Sequence, residues 1–235
     1  MIYIQGRATI SMADFASKLK ELKIQGAVNI ALQSLIYLKK YAKKHGFGSK
    51  FDAECRRLMA ARPTAVPLYN VIGVSRKKKS IEEMERMIKD IKKHQNILGK
   101  KGRTIFRKKS VIMTHCHSHE AVALMKINKS RIKEVYVTET RPRNQGLLTA
   151  NDLRKAGIRV NFITDSSADF YIKKTDMVIV GADSLRKEGF INKVGTLELA
   201  VLSKEFGKRF YVVSSTLKLD RRPKIKIEMR KPYEV

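Results

Sequence analysis

The sequence predicts an α/β protein in which an N-terminal helical subdomain, residues 1–105, precedes a domain built on a mostly parallel sheet, residues 106–235. Three observations carry this expectation. Apolar residues recur at helical spacing through the first part of the chain, short β-branched runs then recur at regular intervals, and the segments between those runs are long enough for crossover helices. At 235 residues, 43% of them hydrophobic, the chain is long enough to bury a substantial core.

The helical pattern runs from residue 11 to about residue 99. Phe15, Leu19 and Leu22 stand at i, i+4 and i+7, and Ile30, Leu35, Ile36 and Leu38 follow in a lysine-rich stretch. Gly46-Phe47-Gly48-Ser49 and Arg62-Pro63-Thr64 interrupt it, because glycine and the residue before proline disfavour continuing a helix. Over 81–98 the residues Met84, Met87, Ile88, Ile91 and Gln95 trace one face while Glu82, Glu83, Lys89, Lys92 and Lys93 take the other, a stripe that reads as core.

After Arg107-Lys108-Lys109 the period changes. Strands are expected at 111–113, 135–137, 160–163, 177–180 and 210–213, each a continuously apolar run of the kind parallel strands show when both faces are covered. Thr149-Ala150-Asn151-Asp152 and Ser166-Ser167-Ala168-Asp169 match a hydroxyl followed three residues on by an acid, the pattern of a helix start. Gly157 fits a helix C-terminus ahead of the third strand. The alternation defines a Rossmann-like domain, without solenoid repeats or a low-complexity tract.

The formal net charge of +28 favours polyanions of any kind, nucleic acid or phosphorylated metabolites among them, and the clusters Arg76-Lys77-Lys78-Lys79, Lys100-Lys101 and Arg221-Arg222 lack the interleaved aromatics of a base-stacking platform. Both a solvated basic surface and an unspecific nucleic-acid footprint fit. No run is long enough for a membrane span and the start lacks the plan of a signal peptide, so a cytoplasmic protein that makes no membrane contact is expected. Cys55 and Cys116 lie far apart without a CxxC pairing, and both are expected free.

Val111-Ile112-Met113-Thr114-His115-Cys116-His117-Ser118-His119 puts one thiol where a buried strand hands over to a helix, the edge at which open α/β sheets bind ligands. A helix N-terminus lowers a thiol pKa, so Cys116 is expected to ionise readily; the competing reading is a small residue at a strand end. A metal on His115, His117 and His119 is disfavoured, because the first two project oppositely if the strand continues and no carboxylate completes a tetrahedral set. His117 and Ser118 suit phosphate or hydroxyl contacts. Asp183 closes Ile179-Val180-Gly181-Ala182-Asp183 at the same edge, where it would either cap a loop or face the thiol across a substrate, the acid and base that an aldose–ketose isomerisation needs. Asn192 and Lys193 open the next helix with a point charge and free amides suited to phosphate, and Gly26, Ala27 and Arg62 could reach a second anion.

Taken together, Gln25-Gly26-Ala27, Arg62-Pro63-Thr64-Ala65-Val66, Thr114-His115-Cys116, Thr138-Glu139-Thr140-Arg141-Pro142 with Gln145-Gly146, Gly181-Ala182-Asp183 and Asn192-Lys193-x-Gly195-Thr196 resemble the sugar-phosphate isomerases related to the regulatory subunits of translation initiation factor two-B. Thr-His-Cys-His-Ser is most similar to the archaeal ribose-1,5-bisphosphate isomerase branch, more than to methylthioribose-1-phosphate isomerases. The resemblance implies conversion of ribose 1,5-bisphosphate to ribulose 1,5-bisphosphate in AMP salvage, with Cys116 as proton acceptor and Asp183 as proton donor. It implies that Gln25, Gly26, Ala27, Arg62, His117, Ser118, Asn192, Lys193 and Lys218 hold the substrate, with no metal or cofactor. It implies AMP as an activator and a homo-oligomer, dimer or hexamer. The sequence departs from the pattern in having Gln25 where the isomerases carry arginine, and in stopping at Val235 where they continue, so a C-terminally shortened sheet is expected. Those departures and the charge motivate an alternative, a non-catalytic regulatory subunit like those of initiation factor two-B.

Overall fold

The computed structural model describes residues 15–21, 23, 24 and 26–224. The expectations placed on Leu22, Gln25 and residues 225–235 lie outside the described residues, as does the side chain of Gln95. The chain divides between Ile88 and Lys89 into two compact units.

In the first unit, α1 (Phe15–Lys20), α2 (Ala27–His45), α3 (Ser49–Ala61) and α4 (Val66–Lys78) follow the periodic apolar residues. Leu19, Leu35, Leu38, Phe51, Leu58, Leu68 and Ile72 are fully buried between them. Both interruptions fall where glycine and proline put them. The α2 helix stops at His45, where Gly46 takes φ 70° and donates its N–H to the Ala42 carbonyl, and α3 stops at Ala61 just before Arg62-Pro63. Helix α5 (Ile81–Lys101) follows; Met84 is fully buried, while Glu82, Lys89, Lys92 and Lys93 are exposed. Phe15 stacks on Tyr37 at 4.6 Å, and the Tyr37 hydroxyl donates to Glu54 Oε1 at 2.8 Å, a carboxylate that Arg57 grips through Nε at 2.8 Å and Nη2 at 2.7 Å.

In the second unit five parallel strands, β1 (Ser110–His115), β2 (Ile132–Thr138), β3 (Val160–Ile163), β4 (Met177–Val180) and β7 (Arg209–Val212), lie in the order β3-β2-β1-β4-β7. Helices α6 (His119–Ile127), α7 (Gly146–Lys155), α8 (Ala168–Ile172) and α9 (Thr196–Glu205) are the crossovers. Side chains alternate across a strand, so Ile112, Val135, Val137, Met177 and Ile179 share one core with Leu124, Met125 and Leu153. Met113, Tyr136, Val178 and Val180 share the other with Ile172 and Leu199. Burial on both faces explains why these strands are unbroken apolar runs in sequence.

Two sequence expectations need correction, and one element was not expected. Thr149 does not start a helix, since α7 begins at Gly146 and Thr149 lies in its second turn, with its hydroxyl donated to the Cys116 carbonyl at 2.8 Å. Ser166 does not cap a helix either, since it lies inside a 3-10 turn over 165–167, ahead of α8, and its hydroxyl donates to Thr164 Oγ1 at 3.4 Å. Residues 184–191 form an antiparallel hairpin, β5 (Ser184–Arg186) with β6 (Gly189–Ile191), that no sequence pattern announced. Gly157 does take the left-handed turn after α7, at φ 79°.

Candidate active site

The sheet order reverses direction between β1 and β4, since the chain runs from β1 outward to β2 and β3, then returns to β4 and β7. Ligands of open α/β sheets bind outside the carboxyl ends of the strands at such a switch point. His115 pairs in register with Val180, so Cys116 after β1 and Gly181-Ala182-Asp183 after β4 leave neighbouring strand ends. The β5–β6 hairpin then does what the sequence did not reveal: the Asp183 N–H donates to the Ile191 carbonyl at 2.7 Å, which closes the hairpin and sets Asp183 beside Asn192 and Lys193.

Cys116 turns the chain through the left-handed region at φ 65°, a conformation costly for a residue with a Cβ and kept only where surroundings enforce it. Its N–H donates to Thr140 Oγ1 at 2.9 Å, its carbonyl accepts from Thr149, and its thiol donates to Gln145 Oε1 at 3.8 Å. Thr140 is itself left-handed, at φ 64°, and Asp165 fixes it: Oδ1 accepts the Thr140 N–H at 2.8 Å and Oδ2 the Arg141 N–H at 2.7 Å. Ser118 caps α6, accepting the Ala121 N–H at 3.3 Å, and Gly181 passes so close that a Cβ there would lie 2.5 Å from Ser118 Oγ. The Thr149 hydroxyl, already donating to Cys116, accepts from His117 Nδ1 at 3.0 Å, which leaves the neutral His117 ring with its proton on Nδ1.

Burial pushes the Cys116 thiol up to about 11; the nearby His117 N–H and Lys193 pull it down, while Asp183 and Asp165 push it further up. The expected lowering by a helix N-terminus is therefore overturned, because desolvation and two carboxylates outweigh it. The same balance records that Asp183, Lys193 and the thiol share one electrostatic neighbourhood. Cys55, fully buried in the helical unit with its thiol pushed up to about 12, is a packing residue.

Among the other expected residues, Asn192 and Lys193 are half-buried in a loop braced by Asn192 Nδ2 donating to Thr196 Oγ1 at 3.0 Å and by Thr196 Oγ1 donating to the Lys193 carbonyl at 2.7 Å. Lys218 is buried with its ammonium 2.8 Å from Glu120 Oε1 in the first turn of α6, so a role at phosphate would be shared with that carboxylate. Within the helical unit, Arg62 donates through Nη1 to the Ile24 carbonyl at 3.4 Å, which draws its guanidinium to the segment where Gly26, at φ 83°, leads into Ala27 and α2. His115, weighed only as a metal ligand, Thr149, read as a helix start, and Thr140, Gln145 and Asp165, given no separate role, are the residues found to frame this site; no pattern in the sequence marks them as doing so.

Gly146 supplies a test of this architecture. A Cβ there would collide with the Thr138 carbonyl oxygen, a backbone atom that cannot swing aside. Gly146→Ala is expected to cost about 3 kcal/mol, the upper part of the overpacking range, and to lower the thermal midpoint by roughly 6–12 °C. An unchanged melting curve would show that the turn from β2 into α7 is looser than described.

A thiol and a carboxylate leave neighbouring strand ends at the switch point of a Rossmann-like α/β sheet, beside a lysine on a helix-opening loop. The chain belongs to the initiation factor 2 subunit family, whose model matches residues 23–235. It is 36% identical to the ribose 1,5-bisphosphate isomerase of Methanocaldococcus jannaschii over 93% of this chain and 78% of that protein, and 37% identical to that of Archaeoglobus fulgidus over 86% and 70%. The methylthioribose-1-phosphate isomerase of Schizosaccharomyces pombe is 30% identical over 96% and 73%. The crystal structure of the Pyrococcus horikoshii OT3 translation initiation factor eIF-2B shares the fold, with a TM-score of 0.79, 24% identity and coverage of 93% of this chain and 82% of that one. Among the described residues no helix is long and apolar enough to cross a membrane.

Proposed function

We propose that the protein is a sugar-phosphate aldose–ketose isomerase that converts ribose 1,5-bisphosphate to ribulose 1,5-bisphosphate. The observation that carries the reading is the placement of Cys116 and Asp183 just past the paired ends of β1 and β4, with the β5–β6 hairpin bringing Asn192 and Lys193 alongside Asp183; the archaeal relatives supply the substrate.

In this reading Asp183 gives its proton to the ring oxygen as the C1–O bond breaks, and the Cys116 thiolate removes the proton from C2. The electron pair of that C–H bond forms the C1=C2 double bond of an enol phosphate. The thiol then returns its proton to C1 while the C2 hydroxyl proton passes to Asp183, leaving a ketone at C2 and both groups as they began. Thr140 and Thr149 hold the cysteine backbone through this cycle, and Gln145 orients the thiol. Asn192 and Lys193, with His117 and Ser118 across the edge, bind phosphate in the second unit. Gly26, Ala27 and Arg62, with Gln25, are anion ligands of the helical unit.

Arg62→Ala is expected to raise KM for ribose 1,5-bisphosphate about tenfold or more, since a charge-assisted hydrogen bond contributes roughly 1.5–3 kcal/mol, with a smaller change in kcat. Steady-state kinetics check this; an unaltered KM would remove Arg62 from the ligand set. From the resemblance we also carry a cytoplasmic homo-oligomer activated by AMP, which light scattering and assays with and without AMP would test. The regulatory-subunit alternative gains no support from the site, where Cys116 and Asp183 are both present and share one strand edge. Purified protein given ribose 1,5-bisphosphate, ribose 5-phosphate and methylthioribose 1-phosphate in parallel tests the assignment: turnover of the bisphosphate by wild type but not by Cys116→Ser is the expected result, and turnover of neither would defeat it.

A further inference from the structure

His115 ends β1 almost wholly buried, with both ring nitrogens engaged. Nε2 lies 2.7 Å from the Val194 carbonyl oxygen, which can only accept, so Nε2 carries the proton; Nδ1, 2.6 Å from Thr138 Oγ1, accepts the hydroxyl hydrogen. Burial holds the imidazole below the usual histidine range, outweighing the Val194 bond and the Asp165 carboxylate 3.8 Å from Nδ1, which push it up; Lys193 adds to the lowering. The ring therefore stays neutral at physiological pH, in a single tautomer.

The loop it grips is the one carrying Asn192 and Lys193. Gly195 lies against the imidazole at φ 95°, so near that a Cβ would stand 2.9 Å from Cε1 and 3.0 Å from Nε2. The loop is thus seated on the ring from two sides of one peptide, by the Val194 carbonyl and by the bare α-carbon of Gly195. Its internal bonds, Asn192 to Thr196 and Thr196 to Lys193, keep its shape, and His115 ties that shape to the end of the strand that delivers Cys116.

We propose that His115 is a positioning residue: through Nε2–H it holds the Asn192–Lys193 loop at a fixed place beside Cys116, so that the phosphate ligand and the reacting thiol keep one geometry. The proposal rests on the isomerase reading for its meaning in turnover, but the loop contact can be measured without turnover.

Two substitutions separate the ring's two bonds. The amide nitrogen of glutamine reaches the place of Nε2 and can still donate to Val194, whereas asparagine reaches only the place of Nδ1 and keeps Thr138. His115→Asn is expected to weaken inorganic phosphate binding, followed by amide shifts of Lys193 to Thr196, and to raise KM for ribose 1,5-bisphosphate, each roughly fivefold or more, with kcat changed less. His115→Gln is expected to restore both to within about threefold of wild type. Nitrogen-15 shifts of wild-type His115 should report the Nε2–H tautomer. An Nδ1–H tautomer, or equal losses in Gln and Asn variants that track only their melting temperatures, would overturn the proposal. Gly195→Ala, which drives a Cβ into the ring, is the second route should His115→Asn fail to fold; it should weaken phosphate binding likewise, and wild-type affinity there would also overturn the proposal. A wild type that binds phosphate but leaves ribose 1,5-bisphosphate unchanged would defeat the isomerase reading and leave the His115 contact standing on its binding data.

Discussion

Cys116→Ser is expected to lower kcat on ribose 1,5-bisphosphate by about 10²–10⁴-fold, the usual contribution of a positioned proton-transfer group, with KM nearly unchanged. The substitution is close to isosteric, so the backbone bonds to Thr140 and Thr149 persist. What changes is acidity, since a serine hydroxyl ionises far less readily than even a thiol pushed up to about 11. That raised thiol has a consequence for the wild type. The protonated form dominates at neutral pH, and the reaction needs the thiolate beside a protonated Asp183, so the gain in thiolate with pH is offset by the loss of protonated carboxyl: kcat/KM should stay level through the neutral range and fall as the thiol titrates. A profile that climbs steadily from pH 7 to 10 would exclude Asp183 as the proton donor.

Asp183→Asn is expected to cost a comparable factor, about 10²–10⁴, because the amide cannot hand a proton to the ring oxygen. It also carries a signature that a merely structural loss would not. The Asp183 charge is one of the groups that hold the thiol up, so its removal lets the Cys116 pKa fall. The sign follows directly: with no carboxyl left to deprotonate, the residual kcat/KM of Asp183→Asn should rise with pH and level off where the thiol titrates, at a pH below the alkaline fall of the wild type. A plateau reached no earlier than that fall would mean that the carboxylate and the thiol do not feel each other, and the shared site would be lost with it.

Much of this fold is legible in the sequence because its strands are covered on both faces. The run 177–180 is buried at every residue, as a central parallel strand allows, while 160–163, at the sheet edge with Phe162 exposed, is legible from its β-branched and aromatic residues; both are found where expected. Gly46 and Gly157 are legible for a different reason, since their left-handed turns follow helices whose periodicity ends there. The β5–β6 hairpin is not legible. Its strands are three residues long and mix Arg186, Gly189 and exposed Phe190, too short for any period to emerge, yet it is what sets Asp183 next to Asn192. Thr149 misleads because a hydroxyl followed three residues later by an acid also occurs inside a helix.

At the site, Cys116 and Asp183 can be picked from sequence because both follow apolar strands, and strand ends are where chemistry collects in this architecture. Their environment cannot. Whether a thiol is raised or lowered depends on how much water the packing removes and which charges face it, and both depend on segments distant in sequence: Asp165 lies 49 residues from Cys116 by its numbering, and Asp183 lies 67 away. The bonds that His115 and Asp165 make are hidden for the same reason, since their partners Val194 and Thr140 become neighbours only when the sheet forms.

In the proposed reaction one thiol and one acid at the β1/β4 edge move the protons of a pentose bisphosphate. Following carbon-13-labelled ribose 1,5-bisphosphate by NMR, with wild type, Cys116→Ser and Asp183→Asn across pH 6–10, tests it most directly. The predicted result is a ketone signal at C2 that grows with wild type and is all but absent with either variant. A label that stays in the starting sugar with wild type at every pH, or conversion at equal rates by all three proteins, would contradict it.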